Sequence, residues 1–247
     1  MLPDIAFLLL MGVVGVIAGA IASVSGFGIG SLLTPVLSLR VATKLAVAAV
    51  SVPHLAATAF RFWLMRKHVD RRLLLSFGLM SAAGGLSGAL LQLYADSPIL
   101  TTVFGCLLAF TGVMGLTGLS EKLRFRGWVA WAAGFLSGML GGLVGNQGGI
   151  RSAAMLGFDV PRHSFVATAT AVGLIVDGAR MPVYLATQGS EVLSLWPVLL
   201  ASTVGAIIGT LVGERILKQI PEPIYRRLIS GLVLALGVYM LLKTSHG

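Results

Sequence analysis

The chain has 247 residues, of which 56% are hydrophobic and only 11% are charged, and its mean hydropathy is +0.93. An ordinary soluble domain is about 25% charged, so this composition excludes a soluble protein and indicates a multi-pass membrane protein. The formal charge of +9 does not indicate nucleic-acid binding, because the basic residues form short clusters between apolar runs, such as RKHVDRR at 66–72. Such clusters are typical of cytoplasmic loops that anchor helices.

The first half of the chain, residues 1–119, opens with an apolar segment at 5–40 that glycines interrupt. Three uninterrupted apolar spans follow at 44–65, 72–94 and 99–118, and each is long enough for one crossing of about 20 residues. A charged connector at 120–127, containing EKLRFRG, separates this half from the next, and we expect it on the cytoplasmic side.

The second half, residues 128–247, repeats this organisation with a glycine-broken segment at 128–160. At an offset of 119, Gly19 falls on Gly138, Gly26 on Gly145 and Arg61 on Arg180. Such self-similarity indicates a duplication. The remaining apolar spans lie at 163–187, 191–213 and 223–242. The sequence therefore predicts an all-α polytopic membrane protein built from two homologous halves.

The orientation of the halves depends on whether each glycine-broken segment crosses the membrane or turns back as a re-entrant hairpin. If each crosses, the halves are parallel and the loops carry 8 Lys and Arg on one side against 7 on the other. If each turns back, the halves are inverted and the count becomes 12 against 3, the three being Arg40, Lys44 and Lys243. The positive-inside rule favours inverted repeats, each with one hairpin and three transmembrane helices.

The two hairpin tips, SGFGIG at 25–30 and GNQGGIR at 145–151, are the first candidate binding site. A helix that starts at a tip directs its free N–H groups into the membrane centre, and glycines let an anion reach them. The alternative is that these glycines serve only helix packing. The candidate substrate-binding residues are Ser25, Gly26, Gly28, Gly30, Asn146, Gln147, Gly148, Gly149 and Arg151.

Charged residues inside apolar spans are the second set of candidates, because a charge within the membrane is costly. Arg151 either clamps an oxyanion or reaches the interface from a hairpin end. For Arg61 and Arg180 snorkelling to the interface is the default expectation, and Asp177, three residues before Arg180, could form an ion pair with it. His54 either carries a coupled proton or bonds to a neighbouring helix. These four residues, His54, Arg61, Asp177 and Arg180, are the candidates for gating or coupling.

The two glycine-rich segments, AGAIASVSGFGIGSLLTPVL and SGMLGGLVGNQGGIRSAAML, each open a half of about 120 residues. In this arrangement the chain resembles the sulfite exporter TauE/SafE family over nearly its whole length. The resemblance implies an integral membrane permease for sulfite, a sulfonate or another small sulfur-containing or organic anion.

These observations predict a secondary transporter for a small anion, working by alternating access in the plasma membrane, which is the inner membrane if the source is bacterial. We expect no catalytic residue, no cofactor and no metal site, and we expect no nucleic-acid partner. Eight of the nine acidic residues lie at loops or span ends, so protons are a better candidate for a coupling ion than sodium held by carboxylates. The alternatives are a membrane scaffold or biogenesis protein without substrate and, less favoured, an intramembrane enzyme.

Overall fold

A computed structural model describes residues 4–26, 28–119, 125, 127–145, 151, 155, 160–217 and 222–245. These residues form helices and no strand. The helices are α1 Ile5–Ser25, α2 Ile29–Leu37, α3 Thr43–Met65, α4 Arg71–Tyr94, α5 Ser97–Thr117, α6 Trp128–Val144, α7 Arg162–Ser194, α8 Trp196–Leu217 and α9 Glu222–Ser245. The all-α fold predicted from the sequence is therefore confirmed.

Six of the described helices, α1, α3, α4, α5, α7 and α8, are long and apolar enough to cross a bilayer. Their sequences alternate with short polar turns that supply helix caps. Asp4 begins α1 by accepting a hydrogen bond from the Phe7 N–H at 2.6 Å, and Asp96 caps α5 through the Ile99 N–H at 3.0 Å. The chain is therefore a multi-pass membrane protein.

The boundary between α7 and α8 differs from the sequence prediction. The proposed spans 163–187 and 191–213 place a loop at 188–190, but α7 continues through Gly189 to Ser194 and α8 begins at Trp196. The break is at Leu195, which has a φ of −91° and a ψ of 14°, and Pro197 lies in the first turn of α8, where a missing N–H costs no helical hydrogen bond. At 33 residues α7 is about 50 Å long, more than the bilayer core requires.

The first glycine-broken segment returns to the level at which it starts. α1 ends at Gly26, whose φ of 79° is left-handed, and the shorter α2 begins after Gly28. Beyond α2, Arg40 pairs with Asp4 at 3.0 Å, so the two ends of the segment meet. The Phe7 N–H and then Arg40 hold the pKa of Asp4 below its usual value. Because α1 is by itself long enough to cross the bilayer, the re-entrant character of the hairpin stays a prediction.

Glycines allow two helix pairs to pack with their backbones in contact. In the α4 and α6 pair, a Cβ on Gly84 would collide with the Phe135 carbonyl, and one on Gly88 would collide with that of Met139. The α1 and α8 pair repeats this arrangement, with Gly209 against Val16. In both pairs the residue numbers rise together, so the helices run parallel, and each pair joins one helix from each half.

Two further interhalf pairs, α3 with α7 and α5 with α9, run antiparallel. In the first, Ser51 bonds to Met181, and His54 bonds to Asp177. In the second, Gly105 packs on Leu241 and Gly112 on Leu234. Each of these pairs joins a helix to its own counterpart in the other half. The inverted arrangement of the halves stays a prediction. Inverted repeats require equivalent helices to run in opposite directions, as the helices of these two pairs do.

In the inverted arrangement, three basic loop residues are predicted on the side of the membrane opposite the other twelve. These three, Arg40, Lys44 and Lys243, lie at one end of the bundle. Lys44 donates to the Leu93 and Ala95 carbonyls at 3.1 Å, and Lys243 donates to the Ser38 carbonyl beside Arg40. At the opposite end of α3, Asp70 bonds to Thr168 near the start of α7. The division at 120–127 stays a prediction, since most of the connector lies outside the described residues.

Candidate functional site

The first hairpin tip is tightly packed, and its serine bonds locally. Ser25 donates its hydroxyl to the Ile21 carbonyl at 2.8 Å, one turn back in α1. Gly28 has a φ of 132°, and a Cβ on Gly30 would collide with the Gly145 carbonyl, so the two glycine-broken segments meet here. Asn146, Gln147, Gly148 and Gly149 lie outside the described residues. The role of the tip residues in substrate binding stays a prediction.

The C-terminal end of α6, which leads into the second tip, is held by side chains of other helices. Arg180 donates to the Gly141 carbonyl, Tyr184 donates to Gly142, and Gln92 donates to Leu143 at 3.1 Å. The last carbonyls of a helix have no partner within the helix and carry the negative end of its dipole. These contacts therefore let α6 end inside the protein. Tyr184 and Gln92 were not among the candidates from sequence, although both are polar residues in apolar spans.

We expect Tyr184→Phe to destabilise the fold by about 1–3 kcal/mol, because a buried carbonyl at the end of α6 loses its donor. Thermal unfolding in detergent measures the effect. Tyr94→Phe is the matched control, since Tyr94 is 88% exposed and should tolerate the change. Equal stability of the two variants would contradict the capping role.

A second polar cluster lies between α3 and α7, around Asp177. Its carboxylate accepts from His54 Nδ1 at 2.6 Å and from Arg180 Nη2 at 2.8 Å. All three side chains are buried, and Arg180 is 1% exposed. The ion pair that the spacing of Asp177 and Arg180 allows is therefore present. Snorkelling of Arg180 to the interface is wrong, because its guanidinium is bound inside the protein.

The arginines at the other end of the contact between α3 and α7, which we call the seam, are buried but only partly bonded. Arg61 donates Nε to the Thr170 hydroxyl at 2.9 Å, and Arg151 donates Nη1 to the Ala169 carbonyl at 3.0 Å. Each is 3% exposed, so neither guanidinium reaches the membrane interface, and that prediction is wrong for both. Nearby buried atoms without a hydrogen-bond partner are Arg61 Nη1, Arg151 Nε, Arg151 Nη2 and Thr58 Oγ1.

Such a group of unbonded donors is unusual inside a protein, where most buried polar atoms have partners. The charges are also unbalanced, because Asp177 is the only buried carboxylate in the described part of the chain, against three buried arginines. A buried charge is costly unless it is paired. The seam between α3 and α7 therefore carries an excess of buried positive charge among the described residues, and Thr58 is a polar residue of this seam that sequence reasoning missed.

Six helices that are long and apolar enough to cross a bilayer, with a charged and buried seam between two of them, define a polytopic membrane protein. Comparison with known families agrees, since residues 11–240 match the sulfite exporter TauE/SafE family. The chain therefore belongs to this family of membrane permeases. No curated protein matches the chain.

Proposed function

We propose that the protein is a secondary transporter for a small anion, with sulfite, a sulfonate or a related sulfur-containing or organic anion as substrate. The observation that carries this proposal is the excess of buried positive charge between α3 and α7. Three arginines face one carboxylate among the described residues, and the arginine guanidinium suits oxyanions because its donors form a planar fork. Membership of the TauE/SafE family supports the same substrate class.

The mechanism proposed is alternating access across the seam where the halves meet. α3 belongs to the first half and α7 to the second, so an anion held between them touches both. Movement of one half against the other would then expose that anion to one side of the membrane at a time. The hairpin tips lie beside the seam, because a Cβ on Gly145 would lie 3.9 Å from Arg180 Nη1. We propose that these tips gate access.

Protons are the proposed coupling ion, and His54 is the proposed carrier. Histidine is the side chain that most readily exchanges a proton near neutral pH, and the His54 imidazole is hydrogen-bonded to the Asp177 carboxylate at 2.6 Å. The proposed location is the plasma membrane, with the end of the bundle that carries Arg66, Arg71 and Arg72 in the cytoplasm.

Uptake into proteoliposomes tests the proposed function. Purified protein would be reconstituted, and entry of radiolabelled sulfite followed with unlabelled sulfate or methanesulfonate as competitors. We expect uptake above that of protein-free vesicles, with competition by at least one of these anions. Glu191→Gln is the control for purification and reconstitution. Glu191 is an exposed acid near the end of α7, so this variant should show wild-type uptake. Folded protein that moves none of these anions would contradict the proposal.

A further inference from the structure

The two halves place different residues at equivalent positions of the seam between α3 and α7. At the offset of 119, Arg61 corresponds to Arg180, but Thr58 corresponds to Asp177. The contacts across the seam are equivalent in the same way. His54 contacts Asp177, the counterpart of Thr58, and Thr58 lies beside Gly173, the counterpart of His54. One end of the seam therefore has a carboxylate beside its arginine, and the equivalent end has a hydroxyl.

The end with the hydroxyl also carries a second arginine. Arg151 Nη1 would lie 3.1 Å from a Cβ on Gly173, and Thr58 Cγ2 would lie 3.6 Å from it. The absence of a side chain at position 173 thus brings Arg151 and Thr58 to one place on α7. Arg61 joins them there, because it bonds to Thr170, about one turn away.

We propose that Thr58, Arg61 and Arg151 bind a compact, doubly charged oxyanion, whose charge takes the place that the Asp177 carboxylate holds in the other half. Among the described residues, these three side chains carry four donors without a hydrogen-bond partner: Arg61 Nη1, Arg151 Nε, Arg151 Nη2 and Thr58 Oγ1. Two guanidinium charges lack a carboxylate partner among the described residues, so a dianion balances them. Several acceptor oxygens on one small ion match donors that converge from three side chains.

The other polar groups of the seam do not serve as ligands in this proposal. Arg180 donates to Asp177 and to the Gly141 carbonyl, and His54 donates to Asp177. Their interactions hold α6 and α3 against α7. The inference rests on the proposed function for its biological role, but binding at this place can be measured without transport.

The test introduces the carboxylate that the first half lacks. In Thr58→Asp, the new side chain should pair with Arg61 and Arg151 and so occupy the anion site from within the chain. Thr58→Asn is the matched control, since it has the same shape and no charge. Thermal unfolding in detergent would be measured without added anion, with sodium sulfite, with sodium sulfate, and with sodium chloride at equal ionic strength.

We expect sulfite or sulfate to raise the melting temperature of the wild type more than chloride does. Thr58→Asp should melt higher than Thr58→Asn without added anion, and its apparent affinity for the dianion should fall at least tenfold. Thr58→Asn should retain a dianion-induced shift. The inference is overturned if Thr58→Asp keeps the wild-type shift, if it fails to fold or melts below Thr58→Asn, or if chloride stabilises the wild type equally.

Uptake measurements separate this inference from the proposed function. If Thr58→Asp loses dianion binding as expected but the wild type transports no tested anion, the site stands and the transport function fails. If the wild type transports sulfite and Thr58→Asp transports it equally well, transport stands and the assignment of the site is wrong.

Discussion

We expect Asp177→Asn to lower the free energy of unfolding by about 3–5 kcal/mol, the largest stability effect of any single substitution considered. The Asp177 carboxylate accepts from both His54 and Arg180, and its side chain is completely buried. Removing its charge leaves Arg180 inside the protein without an ionic partner, next to two arginines that have none among the residues that the structure describes. The neutral amide cannot replace that charge, even if it keeps one hydrogen bond.

Unfolding in mixed detergent micelles measures this loss, and Glu191→Gln on the same helix is the matched control. Because Asp177→Asn could yield too little folded protein, the double variant Asp177→Asn with Arg180→Gln completes the test. It removes both charges of the pair, so we expect it to be less destabilised than the sum of the two single variants. Additive losses would mean that the two side chains do not act as a pair.

We expect Arg151→Gln to reduce anion uptake by roughly two orders of magnitude, the largest functional effect. Truncating one partner of a buried charge pair costs about 2–5 kcal/mol of binding, and glutamine offers neither the charge nor the planar fork. The folded protein should be as stable as the wild type or more so, because the substitution removes a buried charge that no described residue neutralises.

The comparison of stability with uptake separates this role from a packing role. Arg151→Lys keeps the charge but loses the fork, so its uptake should lie between those of Arg151→Gln and the wild type. If Arg151→Gln transports normally, Arg151 is not a ligand, and the anion must be bound elsewhere, at the hairpin tips or around His54. If uptake and stability fall together, its role is structural.

The helices could be predicted from the sequence because apolar length is a direct consequence of the bilayer thickness. The span proposed at 44–65 corresponds to Thr43–Met65, and that at 99–118 corresponds to Ser97–Thr117. The predicted gap between spans, at 188–190, contains Gly189, but a single glycine is tolerated within a helix, and so the boundary of α7 was missed. Pro197, eight residues after Gly189 in the printed sequence, was the better signal.

The candidate site could be predicted only in part. A charge in an apolar span is visible in the sequence, so Arg61, Arg151, Asp177 and Arg180 were found, and so was the ion pair of Asp177 with Arg180, which lies within one helix. Partners on other helices were not found, because hydrogen bonds such as Arg61 to Thr170 and His54 to Asp177 join residues more than 100 positions apart. The burial of Arg61 and Arg180 also depends on the packing of α3 against α7, and the pattern of apolar residues in the sequence does not predict which helices pack together.

Thr58 was missed for a different reason. A threonine in an apolar helix commonly donates to a carbonyl one turn back, so by itself it indicates nothing. It becomes informative only when its equivalence to Asp177 is combined with its unbonded hydroxyl beside Gly173. The internal duplication was therefore a source of site information as well as of fold information.

The position of a bound dianion is the most direct test of the account. Crystals grown with sodium selenate, from protein with ordinary methionine, would give the anion an anomalous scattering signal. We expect one peak within hydrogen-bond distance of Thr58, Arg61 and Arg151. A peak at Gly28–Gly30 of the first hairpin tip instead, or none between α3 and α7 in protein that transports anions, would contradict the account.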